Sequence, residues 1–281
     1  MCRLFGLTAG NARVKATFWL LEAPDSLQAQ SHRNADGAGL GFFGPAGDPV
    51  LDKQPEPAFS DREFIREARQ AESSAFLAHV RRATVGGRTM QNTQPFVMNG
   101  RLMAHNGGFG EFVQLENELG SYARLVLGDT DSERFFALIT KETDAQRGDV
   151  GAGIVAAASW IAARLPVSAL NTIVAAPDEL WALRYPGQHA LHILERPAGP
   201  GRGEPGVHVR SATSSVHVPA LEAVASVVIA SEQLDGESGW RMLAPGELVH
   251  VRPDLSVRSR IAIPQPPAHL ALPAGSPNID T

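Results

Sequence analysis

The chain has 281 residues, 43% of them hydrophobic, and its 25 Lys and Arg against 30 Asp and Glu give a formal net charge of −5. These values are typical of a globular protein with a substantial core, and they argue against disorder and against binding of nucleic acid or anionic membranes. The single cysteine, Cys2, excludes an intramolecular disulfide framework and a cysteine-rich zinc site.

The first half of the chain mixes predicted strands and helices. Strands are predicted at 1–8, 39–43, 75–80 and 102–105. Helices are predicted at 14–21, from Ser60 to about Ala71, from Asp131, and over 150–165. The spacing of Ser60 and Glu63 predicts a capping box at the second of these helices. Residues 31–37 and the Gly- and Pro-rich segment 45–57 predict loops and turns.

After Pro166 the pattern changes to short strands separated by turns. They are predicted at 171–176, 179–185, 190–195, 207–211, 226–231 and 247–252. Because strands and helices do not alternate strictly, we expect an α+β fold of mainly antiparallel sheets. One domain is predicted over residues 1–262. A Pro- and Ala-rich tail follows at 263–281, either extended over the surface or acting as a docking arm.

No stretch of the sequence has the character of a signal peptide or a membrane span. The apolar stretch at 151–165 is short and is interrupted by Ser159 and Arg164. Because the chain also lacks disulfide capacity, a cytoplasmic location is expected, with no membrane partner.

Two motifs that resemble ligand sites are interpreted as structural. Gly39, Gly41 and Gly44 fit a dinucleotide-binding pattern, but Pro45 follows where that pattern requires a helix, so no cofactor is predicted. His189 and His192 are three residues apart in a predicted strand and face opposite sides, so no metal site is predicted.

Cys2 combines two reactive groups once Met1 is removed. Its thiol is a nucleophile, and its new α-amine, with a reference pKa of about 7.7–8.0, can accept a proton near neutral pH. The alternative is a small buried side chain without chemistry. Catalysis would also require an oxyanion hole, a cation for a substrate carboxylate and an anion for a substrate ammonium.

Three polar segments at element ends offer these groups. Arg81 and Arg82 follow a strand, and Arg can bind a carboxylate through two hydrogen bonds. Asn106 and Gly107 follow the next strand and can supply two neutral donors. Each has a structural alternative, since strand-end arginines are often solvated and Asn-Gly is a common turn.

The third segment contains two aspartates, Asp129 and Asp131, at the start of a predicted helix. Either carboxylate could bind an ammonium group or cap the helix. Taken together with Cys2, the three segments indicate a site for a zwitterionic amino acid that carries an acyl side chain.

Together these segments resemble the class II glutamine amidotransferases, which belong to the N-terminal nucleophile hydrolases. The resemblance is strong over about residues 2–140 and weaker to about residue 260. It lies in Met1–Gly6, Arg33–Gly39, the His79-x-Arg81-x-Ala83-Thr84-x-Gly86 run, His105-Asn106-Gly107, Asp131-Ser132-Glu133, and Ala230-Ser231-Glu232 with Trp240. It implies a four-layer αββα sandwich of two mainly antiparallel sheets.

The resemblance also implies a role for each matched residue. Cys2 would be the nucleophile, and Asn106 with the Gly107 N–H would form the oxyanion hole. Substrate would be bound by five others: Arg81 at its α-carboxylate, Asp131 at its α-amine, Thr84 and Gly86 along the pocket, and Arg33 near the thiol. The large family members append a further domain that consumes ammonia, and here only a tail follows.

Three functions remain open from the sequence. The first is a hydrolase that cleaves the γ-amide of glutamine or of another γ-glutamyl compound through a thioester, as in a compact relative of ergothioneine biosynthesis. The second is a glutaminase subunit that delivers ammonia to a partner synthase. The third is a non-catalytic protein that binds γ-glutamyl compounds. The sequence leaves open whether the chain forms a homo-oligomer.

Overall fold

The computed structural model describes residues 2–199 and 224–271, with the backbone alone at 209–210 and 215–216. The strands are β1 (Arg3–Thr8), β2 (Ala38–Phe43), β3 (Pro49–Gln54), β4 (Ala75–Val80), β5 (Phe96–Met98), β6 (Arg101–Phe109), β7 (Pro166–Ala175), β8 (Leu180–Arg184), β9 (His192–Arg196), β10 (Val209–Arg210), β11 (Ser215–Val216), β12 (Ser226–Ala230), β13 (Arg241–Met242), β14 (Glu247–Val251), β15 (Val257–Ile261) and β16 (His269–Leu270). The helices are α1 (Leu27–Ser31), α2 (Arg62–Gln70), α3 (Phe112–Leu119), α4 (Asp131–Ala145) and α5 (Val150–Arg164), with a π-helical turn at Phe18–Glu22 and a 3₁₀ helix at Gly120–Leu125.

Within the described ranges the strands form two large sheets and the small β10–β11 pair. The first sheet has the order β13-β9-β12-β1-β4-β2-β3, and the second has the order β15-β14-β8-β7-β6-β5. Neighbours in both orders pair antiparallel, and β16 pairs parallel with β7 outside the second order.

The buried apolar side chains form three clusters that define four layers. The middle cluster lies between the sheets and includes Leu4, Leu77, Ala104 and Ile173. A second cluster packs helices α1 and α2 on the outer face of the first sheet, and a third packs α3, α4 and α5 on the outer face of the second. The predicted α+β class and αββα layering are therefore confirmed.

The chain starts in the middle of a sheet, which fixes the position of Cys2. Strand β1 lies between β4 and β12, with Phe5 opposite both Ala78 and Ala230. Just past β12, the Ser231 hydroxyl accepts from the Leu4 N–H at 3.0 Å, and the Ser231 N–H donates to the Leu4 carbonyl at 3.0 Å. Cys2 is thus held at the end of a central strand, facing the region between the sheets.

Three predicted local features are wrong for identifiable reasons. The helix at 14–21 is only the π-helical turn, because Val14 pairs with Ser73 in extended conformation. The turn-rich segment 45–57 contains β3, which pairs along β2. Helix α2 is capped by Asp61 rather than Ser60, since the Asp61 carboxylate accepts from Glu63 N at 2.9 Å and Phe64 N at 3.2 Å.

Other features were not recognised in the sequence or fall partly outside the described residues. Strands β5 and β15 and helix α3 were missed. The strand at 207–211 is described only at 209–210, and residues 272–281 of the predicted tail lie outside the described residues, as does Met1. The boundary at 262/263 stays a prediction; Ile263 is buried, and β16 follows it. Each of the longest described helices, α4 and α5, has 15 residues, and no helix in the described ranges could cross a membrane.

Candidate active site

The thiol of Cys2 lies against the backbone at the end of β4. Its Sγ atom is 3.3 Å from the Arg82 nitrogen, which donates to it, and 3.4 Å from the Arg82 carbonyl oxygen. Burial raises the pKa of the Cys2 thiol, while the Arg82 hydrogen bond and the Arg81 guanidinium oppose that rise. The thiol is therefore protonated at neutral pH, and its attack on a carbonyl would need a base.

Asn106 reaches from the second sheet to the residue that carries the thiol. Its side-chain amide donates to the Cys2 carbonyl oxygen at 2.9 Å, and the residue is buried. The next residue must be glycine, because a Cβ at Gly107 would lie 1.9 Å from the Ala169 carbonyl oxygen on β7. The Asn106 amide therefore lies beside Cys2, and the close approach of β6 to β7 leaves no room for a side chain at Gly107.

A buried hydrogen-bond network supports this part of β6. The Gln94 side chain accepts from the His105 N–H at 2.6 Å and donates to the Ser132 hydroxyl at 3.2 Å. His105 Nε2 is 3.2 Å from the Ala169 carbonyl, and Nδ1 is 2.9 Å from the Ser132 hydroxyl. Because a carbonyl only accepts, Nε2 carries the proton. Burial lowers the pKa of His105, so the imidazole is neutral and serves as a structural link between β6 and α4.

Arg81 is buried beneath the loop that follows β4. Its guanidinium donates to the carbonyl oxygens of Gly87 at 2.9 Å, Val85 at 2.8 Å and Gly86 at 3.2 Å. Burial lowers the pKa of Arg81, whereas Cys2, Asp36 and Asp131 raise it. These interactions place its positive charge in one site with the thiol and the Asp131 carboxylate. Arg82, by contrast, is exposed.

The loop over Arg81 is held by residues to which the sequence assigned no role. Asp36 accepts from the Ala83 N–H at 2.8 Å and forms an ion pair with Arg88. The Asn92 side chain donates to the Gly87 carbonyl at 3.2 Å and accepts from the Asp129 N–H at 2.8 Å. A tertiary contact of this kind has no periodic signal, and it was not recognised in the sequence; the run of polar residues at 91–94 is the feature that could have indicated it.

Gly86 and Thr84, the two predicted pocket-lining residues, are exposed on this loop. Gly86 has a φ of +75°, and a Cβ there would lie 2.9 Å from the Asn92 amide nitrogen. A side chain at this position would therefore be strained and would also clash with the residue that holds the loop.

The two candidate aspartates at the start of α4, Asp129 and Asp131, have different surroundings. Thr130 caps the helix by accepting from the Glu133 N–H at 3.2 Å, and Asp129 is bound by Asn92. Asp131 is buried, and its Oδ1 accepts from the Ser132 N–H at 2.8 Å. Its Oδ2 is also buried and has no hydrogen-bond partner among the described residues. That oxygen is available for a ligand.

Arg33 lies in a cluster of charges beside the start of β1. It is 3.1 Å from Asp25 and 3.9 Å from Glu232, and 63% of its side chain is exposed. Glu232 also forms an ion pair with Arg3, whose guanidinium donates to the Cys2 carbonyl at 3.2 Å. The Arg33 charge is therefore linked to Cys2 through Glu232 and Arg3.

The structure thus brings Cys2, Arg81, Asn106, Gly107 and Asp131 together, and it places Thr84, Gly86 and Arg33 around them. Their assigned roles stay predictions. No group of three or more His, Cys, Asp and Glu side chains suited to a metal ion occurs in the described ranges.

The two packed sheets, with Cys2 at the start of a central strand, have the fold of the N-terminal nucleophile hydrolases. Within that class the chain belongs to the class-II glutamine amidotransferases, whose sequence profile matches residues 1–270. The prediction of an enzyme of the class II amidotransferase type is therefore confirmed at the level of the family.

Individual relatives are more distant. A γ-glutamyl-hercynylcysteine sulfoxide hydrolase of Mycobacterium tuberculosis is 37% identical over 117 residues, which are 38% of this chain and 49% of that protein. An amidophosphoribosyltransferase of Archaeoglobus fulgidus is 30% identical over 124 residues, 41% of this chain and 26% of that protein. The chain thus matches half or less of the length of these two relatives. A glutamine aminotransferase class-II domain protein of Silicibacter pomeroyi shares the fold, with a TM-score of 0.60, 18% identity, and coverage of 92% of this chain and 98% of that one.

Proposed function

We propose that the chain hydrolyses the γ-amide of glutamine or of another γ-glutamyl compound through a thioester on Cys2. The observation that carries this proposal is the grouping of one thiol, one buried cation and one buried carboxylate, those of Cys2, Arg81 and Asp131, within electrostatic reach of one another. The substrate has a γ-carbonyl, an α-carboxylate and an α-ammonium, which are the complements of these three groups.

The covalent step has two halves. The Cys2 sulfur bonds to the γ-carbon while the thiol proton passes to the α-amine of Cys2, and the oxyanion is stabilised by the Asn106 amide and the Gly107 N–H. The γ-carbon to nitrogen bond then breaks, and the leaving amine takes the proton. Water adds to the thioester, releasing glutamate and restoring the thiol.

The α-amine of Cys2 supplies the base only after Met1 is removed. The raised pKa of the thiol is consistent with this requirement, because a protonated thiol needs an adjacent acceptor. His105 is neutral and bonded at both ring nitrogens, so it is not a competing base for the thiol.

The test is glutamate release from glutamine and from a panel of γ-glutamyl amides and thio-compounds, using protein whose loss of Met1 is verified by intact mass. Cys2→Ala is expected to abolish release while the melting temperature is retained. Protein that keeps Met1 serves as a second control and should be inactive for the same chemical reason. Substantial release by Cys2→Ala would refute the nucleophile assignment, and binding without turnover by processed protein would favour a γ-glutamyl-binding protein.

A second candidate is a glutaminase that supplies ammonia to a synthase partner. The observation that favours it is the similarity to an amidophosphoribosyltransferase. The matched segment makes up only 26% of the length of that protein. In this case glutamine would be the preferred substrate, and weak activity would rise sharply when a co-purifying protein is added. A preference of orders of magnitude for a bulky γ-glutamyl compound would instead favour the dedicated hydrolase.

A further inference from the structure

A recess that is separate from the candidate active site lies on the second sheet, where β14 and β15 approach the start of α5. Its volume is about 850 Å³, within the range of small-molecule sites. Its walls include three arginines, Arg252, Arg258 and Arg260, and none of the residues assigned to the amidohydrolase site lines it.

The register of the β14–β15 hairpin places the arginines on one face. Arg258 lies opposite His250 and Arg260 lies opposite Leu248, so both arginines project to the side on which Leu248 packs against the helices. Because they are two residues apart on one strand, their Cα atoms are separated by roughly 6.6 Å. Two guanidiniums at this spacing can each bind one phosphate of a diphosphate group.

Two of the three arginines at this recess are not neutralised by a described residue, whereas Arg252 interacts electrostatically with Asp254. Neither Arg258 nor Arg260 forms an ion pair in the part of the chain that the structure describes, and both are exposed. The one acidic residue in the lining, Asp149, is engaged as the cap of α5, with its carboxylate accepting from the Ala152 N–H at 2.9 Å. Arg258 and Arg260 are therefore two cations without a carboxylate partner among the described residues, in a protein whose net charge is −5.

The remaining walls combine a buried apolar floor with a histidine held in place by two contacts. The His250 ring stacks on Trp181 with 4.8 Å between centroids, and its Nε2 is 2.8 Å from a Glu179 carboxylate oxygen. Trp181 and Leu248 are both buried. A preformed apolar floor beneath exposed guanidiniums is typical of a site for an anionic small molecule rather than of a solvated surface.

We propose that this recess, defined by Arg252, Arg258, Arg260, His250 and Trp181, binds a small molecule that carries at least two phosphate groups. The recess shares no residue with the candidate amidohydrolase site, so binding there can be measured separately from turnover. An acidic segment of a partner protein is the alternative occupant that the experiment must distinguish.

The experiment is calorimetric titration of the full chain with inorganic pyrophosphate and with orthophosphate at low ionic strength. Saturable one-to-one binding of pyrophosphate is expected, with weaker binding of orthophosphate because it cannot bridge both guanidiniums. The double variant Arg258→Gln/Arg260→Gln should bind pyrophosphate about tenfold more weakly or worse. Its matched control is Arg62→Gln/Arg69→Gln, which removes the same charge from exposed positions of α2.

Equal weakening in the two double variants would overturn the proposal, because it would mean that only net charge matters. Absence of saturable pyrophosphate binding by the unmodified chain would overturn it too. Binding of a poly-glutamate peptide without binding of pyrophosphate would replace the small molecule by an acidic protein partner. Melting temperatures of both double variants verify that the edge of the sheet remains folded.

Discussion

The Asn106 side-chain amide donates to the carbonyl oxygen of Cys2 at 2.9 Å, a hydrogen bond that joins the second sheet to the first residue of the site. An amide nitrogen carries two hydrogens, so one remains to face a ligand while the other fixes Cys2. In the proposed mechanism, the position of Cys2 and the stabilisation of the oxyanion therefore depend on the same side chain.

Asn106→Ala is expected to lower kcat for γ-glutamyl hydrolysis by about 10²–10³, the usual cost of losing one oxyanion donor. The KM should change little, because the donor acts mainly in the transition state. Steady-state kinetics test this, with Asn117→Ala, an exposed asparagine on α3, as the matched control. A large rise in KM at unchanged kcat would contradict an oxyanion role.

Asp131→Asn is expected to lower kcat/KM for γ-glutamyl substrates by about 10- to 100-fold. The Asp131 Oδ2 has no hydrogen-bond partner among the described residues, and the substitution would remove the charge-assisted hydrogen bond that it is proposed to form with the substrate ammonium. A substrate analogue that lacks the α-amine should lose far less, and this comparison separates binding from structural damage. Asp144→Asn, at the other end of the same helix, is the control. Equal losses with both substrates would show that Asp131 acts only through Ser132.

Asp36→Asn is expected to raise KM by about tenfold with a smaller effect on kcat. The substitution weakens the acceptor for the Ala83 N–H and removes the charge that pairs with Arg88, so the loop over Arg81 is held less firmly. Asp48→Asn, at an exposed turn, should leave both constants unchanged. An unaltered KM in Asp36→Asn would separate this loop from substrate binding.

The raised pKa of Asp52, a residue outside the candidate site, predicts that the free energy of unfolding depends on pH. Burial, together with Asp61, Glu67 and Glu63, raises the pKa of Asp52 to about 6, above the value of about 3.9 in an unfolded chain. Between about pH 4 and 6 the folded state then binds the extra proton, so stability falls as pH rises through this window.

Asp52→Asn should therefore flatten the pH profile of the unfolding free energy over that window. Because the carboxyl is half-exposed and screened by solvent, the substitution should raise the free energy of unfolding at neutral pH by only about 1 kcal/mol. Urea denaturation at several pH values measures it, with Asp48→Asn as the control. A profile that keeps its slope in Asp52→Asn would assign the slope to another group.

The elements with strong local signals could be predicted from the sequence. Helix α5 and strand β4 have continuous apolar patterns, and the structure has them at almost the expected residues. The π-helical turn could not be predicted, because Val14 is taken into a bridge with Ser73, a contact between residues far apart in the chain. Strand β3 was hidden for a similar reason, since pairing with β2 outweighs its turn-forming composition.

The candidate site shows the same division. Cys2, Arg81, Asn106 and Asp131 could be named because they occur in recognisable runs beside strand and helix ends. The residues that hold them are scattered among loops, and their function lies only in tertiary hydrogen bonds; they are Asp36, Asn92, Gln94 and Glu232. The choice of Asp131 over Asp129 follows the family pattern in the sequence. In the structure, the Asp129 N–H donates to the Asn92 side chain.

The central position of β1 has a consequence for biosynthesis. Phe5 pairs with Ala230, so the strand that presents Cys2 acquires one of its two neighbours only after most of the chain has left the ribosome. Until then the hydrogen bond from the Leu4 N–H to the Ser231 hydroxyl cannot form. A nascent or truncated chain ending before β12 would therefore carry Cys2 on a strand that lacks one of its two neighbours and the hydrogen bonds of Ser231.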